Sequence, residues 1–178
     1  MEGSGADERA WIRRAQEGST SAMEALFRHH WGGAYRAAYL VVHDAAAAED
    51  IAQEAFLAAV RNLDRFDRRR PFGPWLHRIV VNRSIDWARS RTLRRETGAA
   101  PLEHMPAESR TGNPHAETLA EALAGLSPEH RAVIVLRHLL EYTPGEIAEL
   151  LGLPRGTVNS RLRRGLDELA RAVGEDVR

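Results

Sequence analysis

The chain has 178 residues, 43% of them hydrophobic and 28% charged, with a formal net charge of zero. It contains no Cys, which excludes a disulfide framework, a thiol nucleophile and Cys-ligated zinc. That length fits one domain or two small ones, and no run of about 18 apolar residues is present to span a membrane. The N-terminus is acidic and polar, unlike a signal peptide, so a soluble, cytoplasmic protein is expected. Aromatic residues are few and Ala is abundant, which favours helix. Every basic residue is Arg. The charge is unevenly placed: residues 1–60 carry net −4, residues 61–95 net +8, and residues 96–115 and 116–178 net −2 each. One strongly basic segment inside a neutral chain is a local footprint for nucleic acid.

Asp7 starts a first predicted helix, which Gly18 ends. Ser19, Thr20 and Ser21 offer caps for a second, running to about Val42. Its apolar positions include Met23, Leu26, Phe27, Trp31, Tyr35, Ala38, Tyr39 and Val42. Gly32 and Gly33 weaken it, unless they permit close packing or mark a bend. Asp44 caps a third helix, to about Leu63. Ala48, Ile51, Ala52, Ala55, Phe56, Ala59 and Val60 cover one half of its wheel. Asp50, Gln53, Glu54, Leu57 and Arg61 form an arc on the other half. An acid-and-amide arc with a Leu embedded in it is either a docking surface or a solvated face with a stray Leu. The residues alone leave both open.

Residues 64–73, DRFDRRRPFG, form a basic turn. Arg68, Arg69 and Arg70, flanked by Phe66 and Phe72, could hold phosphates and stack bases, or simply be solvated. A fourth helical region, PWLHRIVVNRSIDWARSRTLRR, buries Trp75, Leu76, Ile79 and Val80. Val80 and Val81 before Asn82 suggest a break, with Asn82 capping the next helix. Beyond it Asn82, Asp86 and Arg89 form one stripe, and Arg83, Trp87 and Arg94 another. From about Arg95 to Pro114 the periodicity dissolves among Pro and Gly, which marks a linker. Its reach is about 66 Å at ~3.3 Å per residue, enough to join two modules two helical turns apart on DNA. A helix over Glu117 to Leu126 follows. Ser127 and Pro128 then cap and open another, through Leu140, with Val133, Ile134 and Leu136 inside.

Residues 143–166, TPGEIAELLGLPRGTVNSRLRRGL, carry the densest signal. Thr143, Pro144 and Glu146 make a capping box with Pro at the first helical position. Ile147, Leu150 and Leu151 supply a buried face, and Gly152 suits the left-handed residue that ends a helix. Pro154 opens a second helix. At about 100° per residue, Val158, Leu162, Gly165, Leu166 and Leu169 fall on one side, with Thr157, Ser160, Arg161 and Arg164 opposite. An apolar seat under a face of hydroxyls and guanidinium groups suits a helix lying in a DNA major groove. The bland reading is a helical hairpin with a solvated basic face.

With these motifs in place, the chain resembles, over nearly its whole length, the small extracytoplasmic-function (ECF) class of bacterial RNA polymerase sigma factors. DAAAAEDIAQEAFLAAVRNLDRF is similar to that family's core-polymerase-binding helix. PWLHRIVVNRSIDWARSR is similar to its reader of the minus-ten promoter element. EIAELLGLPRGTVNSRLRRGL is similar to its reader of the minus-thirty-five element. Each motif alone is only suggestive; the three in this order, with a polar linker before the last, are specific.

The resemblance implies an all-α fold of two small helical domains. Residues 1–95 would form the four-helix sigma domain two, residues 96–115 a flexible linker, and residues 116–178 the helix-turn-helix of sigma domain four. It implies that Asp50, Gln53 and Glu54, with Leu57 in the same arc, grip core RNA polymerase. Asn82 lies where the family has a short loop that captures a flipped base, at a cost of a few kcal/mol in unstacking. Arg83, Asp86 and Arg89 come just after it, and Arg69, Arg70, Trp75 and Trp87 complete the candidate minus-ten surface. Arg155, Thr157, Ser160, Arg161 and Arg164 fall on the major-groove helix. The chain departs from the family at Arg68 to Pro71, where a polar, Ser-rich loop is usual; the added charge suits phosphate or an acidic inhibitor.

The expected function is that of a promoter-specificity subunit whose partners are core RNA polymerase and promoter DNA. No catalysis, cofactor or metal site of its own is expected. The sequence is compatible with an anti-sigma factor as a further partner, without showing one. Two other readings stand beside this one. A conventional helix-turn-helix regulator would bind duplex operators without polymerase. A helical metalloenzyme is disfavoured because the eight His residues lack a ligand spacing, with no HExxH and no Glu-x-x-His pair.

Overall fold

The computed structural model describes residues 4–96 and 114–176. Residues 97–113, most of the predicted linker, lie outside the described residues. Eight α-helices follow in order: α1 (Ser4–Gln16), α2 (Thr20–Val42), α3 (Ala45–Arg61), α4 (Phe72–Glu96), α5 (Pro114–Gly125), α6 (Pro128–Ile134), α7 (Pro144–Leu151) and α8 (Arg155–Asp176). A short 3-10 turn follows α3 at Leu63–Arg65, and a π-helical turn extends α6 over Val135–Leu139. No strand occurs among the described residues.

Local chemistry sets most of the boundaries. Ser19 and Asp44 each accept a backbone N–H three residues on, capping α2 and α3. Ser127 does the same for α6. A cap of this kind stabilises by about 1 kcal/mol. Asp44 is itself buried and also accepts from Arg91 of α4 at 3.1 Å, so one carboxylate caps α3 and ties it to α4.

α1 to α4 form one bundle, in which α2 packs on α1, α3 and α4. Ile12, Val41, Leu76, Val80 and Val81 are fully buried inside it. Here α4 departs from expectation, because it runs through Asn82 without a break. Val80, Val81, Ile85 and Ala88 are all buried. Burial of such aliphatic side chains stabilises by about 1.5–3 kcal/mol each, more than a new cap at Asn82 would. Ser84, also buried, satisfies its hydroxyl by donating to the carbonyl of Val80 at 2.8 Å. Gly32 and Gly33 lie within the continuous α2 and serve no close approach: a Cβ at Gly32 would meet nothing within 4 Å, and one at Gly33 only His77 at 3.6 Å.

α5 to α8 form the second bundle, with α8 packed on α5, α6 and α7. Gly165 is where α8 crosses α6. A Cβ there would meet Ile134 Cδ1 at 2.9 Å and His130 Cβ at 3.2 Å. Gly165→Val is therefore expected to cost about 1–3 kcal/mol through overpacking. Urea unfolding at equilibrium measures this, and an unchanged midpoint contradicts the packing.

The two bundles are docked. α5 and α6 lie against α2, and α6 and α7 against α4. One hydrophobic cluster runs through both. The π-helical turn contributes. It widens the end of α6, so that Leu140 donates to Val135 O at 3.1 Å, and Glu141 takes a left-handed φ of 58°. Tyr142 is thereby carried to α4, where its hydroxyl shares a 2.8 Å hydrogen bond with His77 Nδ1.

Two half-buried imidazoles make the docked form acid-sensitive. Burial and then the charge of Arg131 hold His43 down at about 4, from an ordinary 6.5. Burial and then His30 hold His77 at about 4. Folded values below the unfolded one mean stability that is complete above pH 6.5 and lost as pH falls towards 4. Melting temperature is expected to fall across that window, and less steeply in His43→Asn. Equal slopes for the two proteins would contradict a His43 kept neutral in the folded chain.

Candidate promoter and polymerase interface

The helix-turn-helix forms as its residues dictate. Thr143 Oγ1 accepts the Glu146 N–H at 3.3 Å, and Glu146 Oε2 accepts the Thr143 N–H at 2.7 Å. Gly152 ends α7 with φ 66°. Ile147 and Leu150 of α7 and Val158 and Leu162 of α8 are buried between the helices. Across α8, Arg155 and Arg164 are exposed, while Thr157, Ser160 and Arg161 are half-buried. Ser160 donates its hydroxyl to Thr157 O at 3.0 Å, leaving its lone pairs outward-available. Leu166, expected in the apolar seat, is instead 40% exposed. Its neighbours Leu162 and Gly165 are buried, so Leu166 marks the margin of the seat.

On α3, Asp50, Gln53, Glu54 and Leu57 are all exposed, Leu57 by 54%. Val60, expected inside, is 46% exposed, and Phe27 of α2 is 39% exposed. Phe27 stacks on Trp31 and tilts against Phe56, with ring centroids 4.8 Å apart in both pairs. The acidic arc is thus bordered by exposed apolar side chains. Ala59 and Leu63 beside it are buried, so Val60 marks the margin of that face. Glu54 pairs with Arg83 of α4, which links the acidic arc to the basic helix.

The candidate minus-ten residues are spread along the turn before α4 and along α4 itself. Asn82 and Arg83 are half-buried in mid-helix, Asp86 and Arg89 exposed. Asn82 sits on a helix and not in the short loop that the resemblance implied. Trp87 is half-buried, with the Arg91 guanidinium 5.1 Å from its ring centroid. Phe66 and Phe72, expected to stack bases, are buried and pack on Trp75 with centroids 4.6 and 5.5 Å away. They anchor the basic turn from within. Arg70 is exposed, and Arg69 is held by Asp67 in a 3.0 Å ion pair. Arg68 and Arg69 line a cleft of about 510 Å³ with Arg9 and Arg13 of α1. The sequence offered no sign of that convergence, since α1 reads as an ordinary amphipathic helix.

Glu8, His29 and His30 also meet, with potential ligand atoms within 4.8 Å of one another. Glu8 is occupied structurally: it accepts the Phe72 N–H at 2.9 Å and lies 3.5 Å from His30 Nε2, pinning α1 to α2 and to the start of α4. Its close contact with His30 lowers its pKa against the opposing effect of burial. No helix among the described residues is long and apolar enough to cross a membrane.

Two helical bundles, the second with a helix-turn-helix, define a two-module DNA-binding architecture of the sigma-70 class. Residues 26–94 match the family described as Sigma-70 region 2, and residues 116–169 that described as Sigma-70, region 4. The ECF RNA polymerase sigma factor SigW of Bacillus subtilis is 30% identical, over 91% of this chain and 94% of that one. SigL of Mycobacterium tuberculosis, also an ECF RNA polymerase sigma factor, is 33% identical over 93% and 97%. CnrH, solved in complex with the cytosolic domain of CnrY, is 27% identical over 96% of this chain and 99% of that one, with a TM-score of 0.69. The sigma factor RpoE of Bartonella quintana, solved with the anti-sigma factor NepR, shares the fold at a TM-score of 0.70 and 20% identity over 85% and 96%. The chain belongs to the ECF RNA polymerase sigma factors. It is an alternative sigma factor, of a family of non-enzymatic transcription initiation factors, a reading these relatives favour over that of a free-standing helix-turn-helix regulator.

Proposed function

We propose that residues 1–95 act as sigma domain two and residues 116–178 as sigma domain four, and that the work is divided among three surfaces. Asp50, Gln53, Glu54 and Leu57 dock on core RNA polymerase, with Val60 and Phe27 extending the contact. Arg69, Arg70, Trp75, Asn82, Arg83, Asp86, Trp87 and Arg89 hold the melted minus-ten element. Arg155, Thr157, Ser160, Arg161 and Arg164 read the minus-thirty-five element as duplex. The observation that carries this reading is the outward, Arg-bearing face of α8, seated on buried Val158 and Leu162. Duplex readout needs a helix that fits a groove, whereas strand capture needs a basic track.

Arg9 and Arg13, beside Arg68 and Arg69, lengthen that track and suit phosphates. The chain itself catalyses nothing; nucleotide addition stays with the polymerase, and the work is done in the cytoplasm. An anti-sigma factor is a further proposed partner, supported by the complex in which the Bartonella quintana relative was solved. Binding to promoter duplex, measured with and without core polymerase, tests the division of labour. The chain alone is expected to bind weakly and the holoenzyme tightly. Nanomolar duplex binding by the free chain would contradict it.

A further inference from the structure

Two histidines and a carboxylate from separate helices converge beside the start of α4. Glu8 lies on α1, and His29 and His30 lie on α2. Each offers one ligand atom, and the three atoms lie within 4.8 Å of one another. No local motif marks the set, because it is the packing of α1 on α2 that brings Glu8 to the pair.

His30 is the informative member. Its Nε2 is buried without a hydrogen-bond partner and faces Glu8 Oε2 at 3.5 Å. A buried ring nitrogen left unbonded is costly, so the position calls for a partner. Two donors each about 2.1 Å from a tetrahedral zinc ion lie about 3.4 Å apart. The gap between Oε2 and Nε2 matches that edge and is longer than a normal hydrogen bond. A simple ion pair is the competing account. It requires a protonated His30, would draw the two atoms closer, and gives His29 no part.

The surroundings hold the donors in place. Glu8 Oε1 accepts the Phe72 N–H at 2.9 Å, the kind of outer bond that orients a ligating carboxylate. The His30 ring lies against Phe72 with centroids 5.1 Å apart, and a Cβ at Gly73 would sit 3.5 Å from its Cε1. The His29 ring meets His30 edge-on at 4.7 Å and Trp11 at 5.7 Å. His29 is exposed, so it is the ligand with room to adjust.

We propose that Glu8, His29 and His30 bind a divalent transition-metal ion, zinc being the best fit, with water in the fourth position. Two imidazoles among three donors favour zinc over calcium or magnesium, which take oxygen ligands. The ion clips α1 to α2 and, through the Glu8 bond to Phe72, to the start of α4. It thereby fixes the base of the turn that carries Arg68, Arg69 and Arg70. Its role is structural, and no chemistry is assigned to the bound water.

The test uses the full chain, untagged and stripped with a chelator. Zn2+ is titrated by calorimetry, and Co2+ serves as a spectroscopic probe. One ion per chain should bind, and the Co2+ form should show the intense visible absorption of tetrahedral coordination. Zinc at about 100 times its Kd should raise Tm by about 5–10 °C. His29→Ala removes an exposed ligand and leaves the core untouched. It should weaken zinc binding by at least about tenfold and abolish the tetrahedral spectrum. Glu8→Gln keeps an acceptor for the Phe72 N–H but loses the anionic ligand, and should weaken binding likewise. His138→Ala, at an exposed position of the second bundle, should bind zinc as the parent does. No stoichiometric binding to the parent would overturn the proposal and leave Glu8 and His30 as an ion pair. Binding that either His29→Ala or Glu8→Gln leaves unchanged would also overturn it, since the ion would then sit elsewhere.

Discussion

Replacing Gln53 and Glu54 together with Ala is expected to lower affinity for core RNA polymerase by roughly 10- to 100-fold, a loss of about 1.4–2.8 kcal/mol. The side chains are exposed on the same face of α3 as Leu57, itself 54% exposed. An exposed Leu among acids and amides gains most when a partner removes it from water, and the polar groups around it then set the register. The fold should survive. Gln53 bonds only to Glu49 on its own helix, at 3.3 Å, and exposed pairs such as Glu54 with Arg83 contribute at most about 1 kcal/mol. Titration of labelled core enzyme, with a melting curve for the variant, measures both. Unchanged transcription at limiting protein would show that the acidic arc does not dock.

The second large effect is expected at α8. Arg161→Ala and Arg164→Ala should each weaken binding of the holoenzyme to the minus-thirty-five element. If the Arg reads a base, the cost is about 1–3 kcal/mol and sequence preference relaxes at one position. If it meets a phosphate, all sequences weaken alike and the salt dependence becomes shallower by about one unit of slope. Arg164 is exposed and free to enter a groove, whereas half-buried Arg161 lies within the field of Glu129. Its effect is best read in the holoenzyme, where the bundles engage separate sites. Duplex binding to a promoter series at two salt concentrations distinguishes the cases. No loss for either variant would remove α8 as the reader.

Features that depend on a few neighbouring residues were legible in the sequence. The caps at Ser19, Asp44, Ser127 and Thr143 and the left-handed Gly152 all formed where their chemistry placed them. So did the buried seat of Val158 and Leu162. What escaped depends on contacts between distant elements. Asn82 has the makings of a cap, yet buried Val80, Val81 and Ile85 keep α4 continuous through it. Phe66 and Phe72 flank arginines in sequence but turn inward onto Trp75. Val60 and Leu166 fit their helical wheels and still reach solvent, because a wheel does not show how wide a face the neighbouring helices cover.

The docking of the bundles rests on contacts that no stretch of sequence displays. Arg131 reads as one more surface charge in a helix that opens Ser-Pro. Only the meeting of α2, α5 and α6 reveals that two helix ends point carbonyls at it. The π-helical turn leaves no clear mark in the sequence, though it carries Tyr142 to His77. The convergence of Arg9 and Arg13 with Arg68 and Arg69 is likewise a product of how α1 packs.

Run-off transcription from a library of promoter fragments with randomised upstream and downstream elements, using purified core RNA polymerase, bears most directly on the whole account. With this chain present, sequenced transcripts should begin at a fixed distance from two enriched elements, and none should appear with core enzyme alone. No transcript from any member of the library, with the protein shown to be helical and folded, would contradict the assignment of promoter recognition to these two bundles.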